Sequence, residues 1–275
     1  MLIDSHHHFW NYDPAQYGWI KDDMACLRRD FLPDDLQAEI ALTGVEGVVS
    51  VQARQTLDET RWLLGLAARH EFIRGVVGWL PLADDNVEQH LTHFATHPKL
   101  KAVRHVVQDE PDPKFILSAD FNRGVSLLAS YGLVYDILIF DEQLPAAIQF
   151  VDRHPGQIFV LDHLAKPVIK GNWIEPWRTQ IHNLARRSNV YCKLSGMVTE
   201  ADFKGWTVAQ LKPYAETVLE AFGPRRIMFG SDWPVCLASC SYWCWYGVVK
   251  ELIASLSANE QARILGGTAE EAYRL

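Results

Sequence analysis

The sequence lacks the segments that mark membrane-spanning, secreted and nucleic-acid-binding proteins. No apolar run in its 275 residues approaches the roughly 18 residues needed to cross a bilayer. The N-terminus shows no basic segment followed by an apolar one, so a signal peptide is not predicted and we expect a cytoplasmic protein. No block of basic residues occurs and the formal net charge is −8. Nucleic acids and anionic membranes are therefore poor candidates for partners.

Cysteine is scarce as well. The count of five is odd, which argues against a disulfide framework in a chain without a secretory signal. Cys236, Cys240 and Cys244 are four residues apart, so a continuous helix would place their thiols on one face. Zinc thiolate sites mostly use tighter pairs. We therefore interpret these three as reduced thiols packed among aromatic neighbours, and the sequence leaves any further role open.

No glycine-rich phosphate loop follows any apolar segment, but the segments themselves form a regular series. Eight short apolar stretches alternate with seven or eight helical patterns. The strands are continuously apolar, as expected when both faces of a parallel sheet are buried. The predicted strands begin at Leu2-Ile3 and continue at 45–52, 73–80, 100–107, 133–137, 158–163, 190–195 and 226–232. Eight such repeats predict an α/β fold, a single (β/α)8 TIM barrel, with one domain over 1–275.

Histidines follow the first strand directly. In an extended segment, residues i and i+2 point to the same side, so His6 and His8 project together and His7 points away. Two neutral imidazoles that converge can bind a divalent cation or form a pair of hydrogen-bond donors. A purification tag would be a different explanation. It is disfavoured because only three histidines occur and they follow the strand without a linker.

The carboxyl ends of barrel strands open onto one mouth, where active sites of such barrels lie. Polar residues occur at nearly every predicted strand end: His6, His8, Gln52, Arg54, Arg104, His105, Asp136, Asp162, His163, Lys193, Ser195, Ser231 and Asp232. His6, His8, His163 and Asp232 form a plausible ligand set for one divalent metal that leaves a position for water. Taken singly, each histidine could be an ordinary hydrogen-bonding residue, and Asp232 could be a turn acid.

Four stretches resemble the motifs of the amidohydrolase superfamily: DSHHHFW (4–10), DHLAKP (162–167), KLSG (193–196) and FGSDWP (229–234). More narrowly, the chain is similar to the amidohydrolase-2 branch of sugar-lactone hydrolases, with its L-fuconolactonase-like and L-rhamnonolactonase-like enzymes. The similarity extends over nearly the whole chain and includes AVRHVVQ (102–108). The resemblance implies a (β/α)8 barrel that hydrolyses a cyclic ester. It also implies that His6, His8, His163 and Asp232 surround the reacting atoms, with Asp232 as proton acceptor.

One departure concerns the metal content. Many superfamily members bind two metals bridged by a carboxylated lysine on strand four, whereas this strand ends in Val103-Arg104-His105. A binuclear site is therefore not expected. Since some lactonases of the branch are thought to work without metal, the resemblance implies one divalent ion, zinc, or none. Without metal, His6, His8 and His163 would donate hydrogen bonds to the carbonyl oxygen.

Further residues are candidates for contacts with the substrate. Arg54, Arg104 and His105 suit the hydroxyl or carboxylate groups of an oxygen-rich ligand. Lys193 is a similar candidate, although it could instead pair with an acid such as Asp162. Trp10 is the aromatic residue that we expect to stack on a sugar ring, with Trp19, Trp79 and Trp233 as alternatives.

The sequence thus predicts a hydrolase that opens a sugar-derived lactone. One alternative is a metal-dependent decarboxylase or hydratase of the same superfamily that acts on an unsaturated or aromatic acid. Another is a non-catalytic barrel that binds a ligand, which the intact set of His6, His8, His163 and Asp232 disfavours. The sequence does not indicate the sugar configuration, the ring size or the oligomeric state.

Overall fold

The computed structural model describes all 275 residues, and its centre is one eight-stranded sheet. Neighbouring strands are parallel and follow the order of the chain. The strands are β1 (Ile3–His7), β2 (Gly47–Val51), β3 (Ile73–Gly78), β4 (Leu100–Val106), β5 (Val134–Leu138), β6 (Phe159–Leu161), β7 (Val190–Leu194) and β8 (Ile227–Phe229). The predicted (β/α)8 barrel is confirmed.

Helices follow the strands and surround the sheet. They are α1 (Pro33–Ile40), α2 (Leu57–Arg69), α3 (Val87–Phe94), α4 (Ala119–Leu128), α5 (Leu144–Arg153), α6 (Trp177–Leu184), α7 (Met197–Glu200), α8 (Val208–Phe222), α9 (Tyr242–Leu252), α10 (Ala258–Ala262) and α11 (Thr268–Tyr273). None of them has the length and apolar character to cross a membrane. Thr56, Thr207 and Ser241 cap α2, α8 and α9 by accepting a backbone N–H, which fixes where these helices begin.

Two of the strands that end earlier than predicted do so just before candidate site residues. β6 stops at Leu161, before the predicted end at His163, and β8 stops at Phe229, before the predicted end at Asp232. In both places the backbone turns into the left-handed region, with φ of 52° at His163 and 57° at Asp232. Such dihedrals cannot continue a strand. The residues beyond these two strands are therefore aimed by turns rather than by the sheet.

The barrel closes where β1 meets the segment after β8. The N–H of His8 donates to the carbonyl of Trp233 at 2.7 Å, and the N–H of Asp232 donates to the carbonyl of His6 at 2.8 Å. Ser5 Oγ adds a bond of 2.6 Å to the carbonyl of Phe229. A Cβ at position 230 would lie 2.8 Å from His6 Cβ, so the approach of the two segments requires Gly230.

Apolar side chains fill the barrel below its mouth. Strand residues such as Val49, Val77 and Val160 form one small buried cluster with Ala269 and Tyr273 of α11. A larger cluster of 69 buried residues lies mainly between the strands and the surrounding helices. Since α11 packs against the interior cluster, the end of the barrel opposite the carboxyl ends is closed.

The cysteines are all free, as expected. Cys236 lies in a 3-10 turn and is buried, whereas Cys244 lies in α9. Cys240 precedes α9, so the turn and the helix are separate elements. The three thiols therefore do not lie along one continuous helix.

One glycine allows us to test the packing between a helix and a loop. An added Cβ at Gly124 in α4 would lie 2.0 Å from the carbonyl oxygen of Leu82. We expect Gly124→Ala to lower the urea midpoint of unfolding. The backbone must shift to relieve the clash, and the free energy of that shift exceeds the gain of about 1 kcal/mol from the higher helix propensity of alanine. Gly65→Ala in α2 is the matched control, since its Cβ would meet only the end of Arg69 at 3.5 Å. The control should raise the midpoint, and a rise for both variants would contradict the predicted clash.

Candidate active site

His6 and His8 lie side by side at the mouth, as the period of the strand predicts. Their Nε2 atoms are 3.2 Å apart. His8 Nδ1 lies 2.8 Å from the carbonyl oxygen of Val51, which can only accept, so His8 carries its proton on Nδ1 and a lone pair on Nε2. His7 points to the other side, where its Nε2 lies 2.9 Å from Ser50 Oγ.

His163 reaches the same place through an unusual turn. His163, Leu164, Ala165 and Lys166 have φ values of 52°, 56°, 60° and 48°, four consecutive non-glycine residues in the left-handed region. Burial and specific bonds hold this turn: Trp177 Nε1 donates to the carbonyl of Leu164 at 2.7 Å. His163 Nδ1 lies 2.8 Å from Ser195 Oγ, which orients the ring with Nε2 towards Asp232.

Gly196 explains one part of the KLSG motif. A Cβ at this position would lie 2.6 Å from His163 Nδ1, and its φ of 67° is itself left-handed. Only glycine allows both the backbone conformation and the close approach of the imidazole.

Asp232 faces all three imidazoles. Its Oδ1 lies 3.5 Å from His8 Nε2, 3.7 Å from His6 Nε2 and 3.9 Å from His163 Nε2. Burial acts to raise the pKa of this carboxyl, but the interactions with His163 and His8 outweigh it and place the pKa below its usual value. Burial lowers the pKa of His163 to about 4 and that of His6 well below its usual value. At neutral pH the ionised carboxylate of Asp232 thus faces neutral imidazoles at His6 and His163.

This donor set fits a divalent metal. His6, His8 and Asp232 each offer one ligand atom, and these atoms lie within 4.8 Å of one another. Neutral imidazole and carboxylate are the ligands that zinc prefers apart from thiolate. The proton of His8 is engaged by Val51, so its Nε2 lone pair is free to ligate. A second group of potential ligand atoms consists of His6, Asp162 and His163.

Lys193 and Arg104 lie beside this group as buried cations. Lys193 Nζ is 2.6 Å from Asp136 Oδ2 and 2.9 Å from Asp162 Oδ1. The alternative that the sequence left open, a pairing of Lys193 with Asp162, is the one observed. Arg104 Nη1 donates to the other oxygen of Asp162 at 3.0 Å, and its Nη2 donates to the carbonyl of Gln52. Arg104 also borders the mouth cavity, whereas Lys193 is completely buried below it.

The other predicted contact residues occupy different positions. Arg54 lines the mouth cavity, where it pairs with Glu59 and donates to Gln16 Oε1. His105 does not line the cavity, because it lies between Glu110, at 2.6 Å from its Nε2, and the stacked ring of Phe115. Trp10 is also outside the lining. It is fully buried among Tyr17, Trp19 and Phe31, and its indole N–H donates to the carbonyl of Arg29.

The mouth encloses a cavity of about 490 Å³. Its lining includes seven polar or aromatic residues that the sequence interpretation did not assign to substrate contact or left as secondary candidates: Gln16, Trp19, Gln55, Thr56, Gln108, Asp109 and Lys166. Lys166 lies inside the DHLAKP stretch, and its place in that motif could have marked it as a site residue. The left-handed turn brings its ammonium group towards the mouth, 3.9 Å from Glu200.

Comparison with known proteins gives the family of the chain. The profile of the family described as "Amidohydrolase" matches residues 3–275. The chain is 41% identical to L-fucono-1,5-lactonase from Burkholderia multivorans over its full length and 96% of that protein. It is 33% identical to L-fucono-1,5-lactonase from Burkholderia ambifaria, with 99% of this chain and 95% of that protein covered. A crystal structure of an amidohydrolase from Burkholderia multivorans with bound zinc has a TM-score of 0.97 at 40% identity, covering 100% of this chain and 99% of that chain.

The neutral state of His163 predicts an acid-sensitive fold. Its pKa of about 4 lies below the unfolded value of 6.5, so its contribution is complete above pH 6.5 and is lost as the pH falls towards 4. Since each unit of pKa shift corresponds to about 1.4 kcal/mol, we expect His163 to lower the free energy of unfolding by roughly 3 kcal/mol as the pH falls over that range.

The measurement is the free energy of unfolding against pH for chelator-treated wild type and His163→Asn. The difference between the two curves isolates the contribution of the His163 ring to the pH dependence from those of Asp4 and Asp136. Burial raises the pKa values of these two carboxyl groups to about 6, so their contributions have the opposite sign. Curves that stay parallel from pH 7 to 4 would show that His163 is not held neutral.

Proposed function

The chain belongs to the amidohydrolase family, and from this premise we propose that it hydrolyses a sugar-derived lactone to the free acid. The observation that carries the proposal is the position of Asp232, an ionised buried carboxylate that faces three imidazoles at the edge of a cavity. Full-length similarity to two proteins named L-fucono-1,5-lactonase supports a lactone as the substrate class.

Asp232 is suited to act as a general base. A lactone carbonyl is electrophilic, so the reaction needs a water that loses a proton as its oxygen attacks. Asp232 takes that proton, the C–O bond of the ring breaks, and the proton passes to the departing ring oxygen. The products are a hydroxyl group and a carboxylic acid, which ionises. The left-handed turn at Asp232 aims the carboxylate at the cavity, with the imidazoles of His8 and His163 beside it.

A divalent metal fits beside this base. His6, His8, His163 and Asp232 would hold it, and when bound it would supply positive charge that acidifies water and polarises a carbonyl. A single ion is the expected number. The buried cations Arg104 and Lys193 lie next to His6 and Asp162, and their charge disfavours a second metal there.

Cations at the mouth suit the charge that develops on the substrate. Lys166 and Arg104 both border the cavity and can donate to the carbonyl oxygen as it becomes an oxyanion. Arg54, Gln55 and Gln108 offer donors and acceptors for sugar hydroxyl groups. Trp19 is partly exposed in the wall, so we assign stacking on the ring to Trp19 instead of the buried Trp10.

The first test is a panel of aldono-1,4- and 1,5-lactones followed by acid release. We expect Asp232→Asn to lower kcat by about 10²–10⁴-fold, the usual contribution of a general base. Asp109→Asn removes a carboxylate from the same cavity wall without touching the imidazoles, and its kcat should stay within about fivefold of wild type. If no lactone is opened above background while an unsaturated or aromatic acid loses CO₂, the lactonase proposal is wrong.

The second test is the metal content. After dialysis against zinc we expect one equivalent per chain by elemental analysis, and His8→Asn should retain less than a tenth of it. Ser50→Ala is the control, because Ser50 contacts His7 on the side of β1 that points away from the cavity. Two equivalents in wild type would contradict the single site, and full retention in His8→Asn would place the metal elsewhere.

A further inference from the structure

Lys193 is the one buried ammonium that contacts the imidazole pair. It projects from β7 with no exposed surface, and its Nζ lies 3.2 Å from His6 Nδ1. Its other near neighbours are Asp136 at 2.6 Å and Asp162 at 2.9 Å. An ammonium group has three protons and no acceptor. Asp136 Oδ2 and His6 Nδ1 accept hydrogen bonds from it, and Asp162 forms an ion pair with it.

The proton of His6 can be located from its neighbours. His8 donates from Nδ1 to Val51, so its Nε2 presents a lone pair to His6 Nε2 at 3.2 Å. A neutral imidazole has one ring proton, on either Nδ1 or Nε2. If Nδ1 accepts from Lys193, the proton lies on Nε2 and is donated to His8. A directed chain of hydrogen bonds then runs from Lys193 through His6 and His8 to the carbonyl of Val51.

The other tautomer has weaker support. With its proton on Nδ1, His6 would donate to Asp162 Oδ1 at 3.4 Å and accept from Arg104 Nη1 at 3.5 Å. Both distances are longer than those of the first form. The lone pairs of His6 and His8 would also face each other at 3.2 Å, an arrangement that a cation stabilises and that is repulsive without one.

Ligation of a metal through Nε2 of His6 requires the second tautomer, which has its proton on Nδ1. A ligating imidazole ordinarily donates its other N–H to a carboxylate or a carbonyl. His8 does so through Val51, whereas the nearest group to His6 Nδ1 is an ammonium. The ring remains neutral in both forms: one proton leaves Nε2 to water and one enters at Nδ1, so the number of bound protons does not change.

We infer that Lys193 is a positioning residue that holds His6 with its proton on Nε2 in the metal-free protein and thereby lowers the affinity of the site for divalent metal. The same contact keeps the imidazole pair ordered as a hydrogen-bonded unit without metal. The inference rests on the proposed metal site and does not depend on the identity of the lactone.

The direct test is the tautomer of His6 in chelator-treated wild type, read from long-range ¹⁵N–¹H correlations of histidine-labelled protein. The His6 signals are assigned by their loss in His6→Asn. We expect a protonated Nε2 and an unprotonated Nδ1. A proton on Nδ1 of His6 overturns the inference, and this result needs no variant of Lys193.

The second test is the affinity for zinc, measured by competition with a chromophoric chelator. Lys193→Met combined with Asp136→Asn removes one buried charge of each sign, so the network stays balanced and Tyr273 keeps an oxygen partner at 136. We expect zinc to bind about 10- to 100-fold more tightly, the size of effect known for groups that contact a metal ligand.

Lys166→Met is the control for the loss of a nearby cation. Lys166 borders the cavity and does not contact His6, so in this variant the tautomer of His6 should be unchanged and zinc affinity should rise by less than about threefold. Unchanged or weaker zinc binding in the double variant overturns the inference. The inference is also overturned if the double variant is folded and His6 still has its proton on Nε2. Loss of lactone hydrolysis in wild type would instead refute the proposed function alone.

Discussion

The hydrogen bonds that close the barrel are the constraint on which the site depends. The backbone of His6 and His8 bonds to that of Asp232 and Trp233, so the residues that join the first and last strands are also those that carry the imidazoles and the carboxylate. Asp4 strengthens this seam: its Oδ1 accepts from the N–H of Ser231, and Tyr242 donates to its Oδ2. The distance between base and imidazoles is therefore set by the closure of the fold, and it does not rely on a flexible loop.

Left-handed backbone supplies the second part of the geometry. Residues in this region cost about 1–2 kcal/mol each for side chains other than glycine, and His163 to Lys166 form four in a row. Such conformations persist where surrounding contacts determine them, and they are frequent at functional sites. Here the bond from Trp177, the contact of His163 with Ser195 and the absence of a Cβ at Gly196 provide these contacts. The turn presents both His163 and Lys166 to one cavity.

Buried charge below the mouth is balanced by pairing. Asp136 and Asp162 share the ammonium of Lys193, and Asp162 also accepts from Arg104. Burial acts to raise the pKa of Asp162, but the charges of Lys193 and Arg104 outweigh it and hold the pKa well below its usual value. Breaking one member of such a network leaves an uncompensated charge in a dry interior. These residues therefore orient His6 and support the carboxylate and imidazoles above them, whereas contact with the substrate belongs to the cavity lining.

The sequence by itself determined the repeat of strands and helices, the common direction of His6 and His8, and the gathering of strand-end residues at one mouth. These follow from local periodicity and from the parallel arrangement, which need no knowledge of distant contacts. Only the tertiary structure decided which polar side chain faces the cavity. Lys193 is turned to Asp136 and Asp162, His105 to Glu110, and Trp10 into an aromatic cluster, because each partner is distant in sequence or lies beyond a strand end. Lys166 reaches the mouth for the same reason: its direction is set by dihedral angles of a turn that packing enforces and that no apolar pattern encodes.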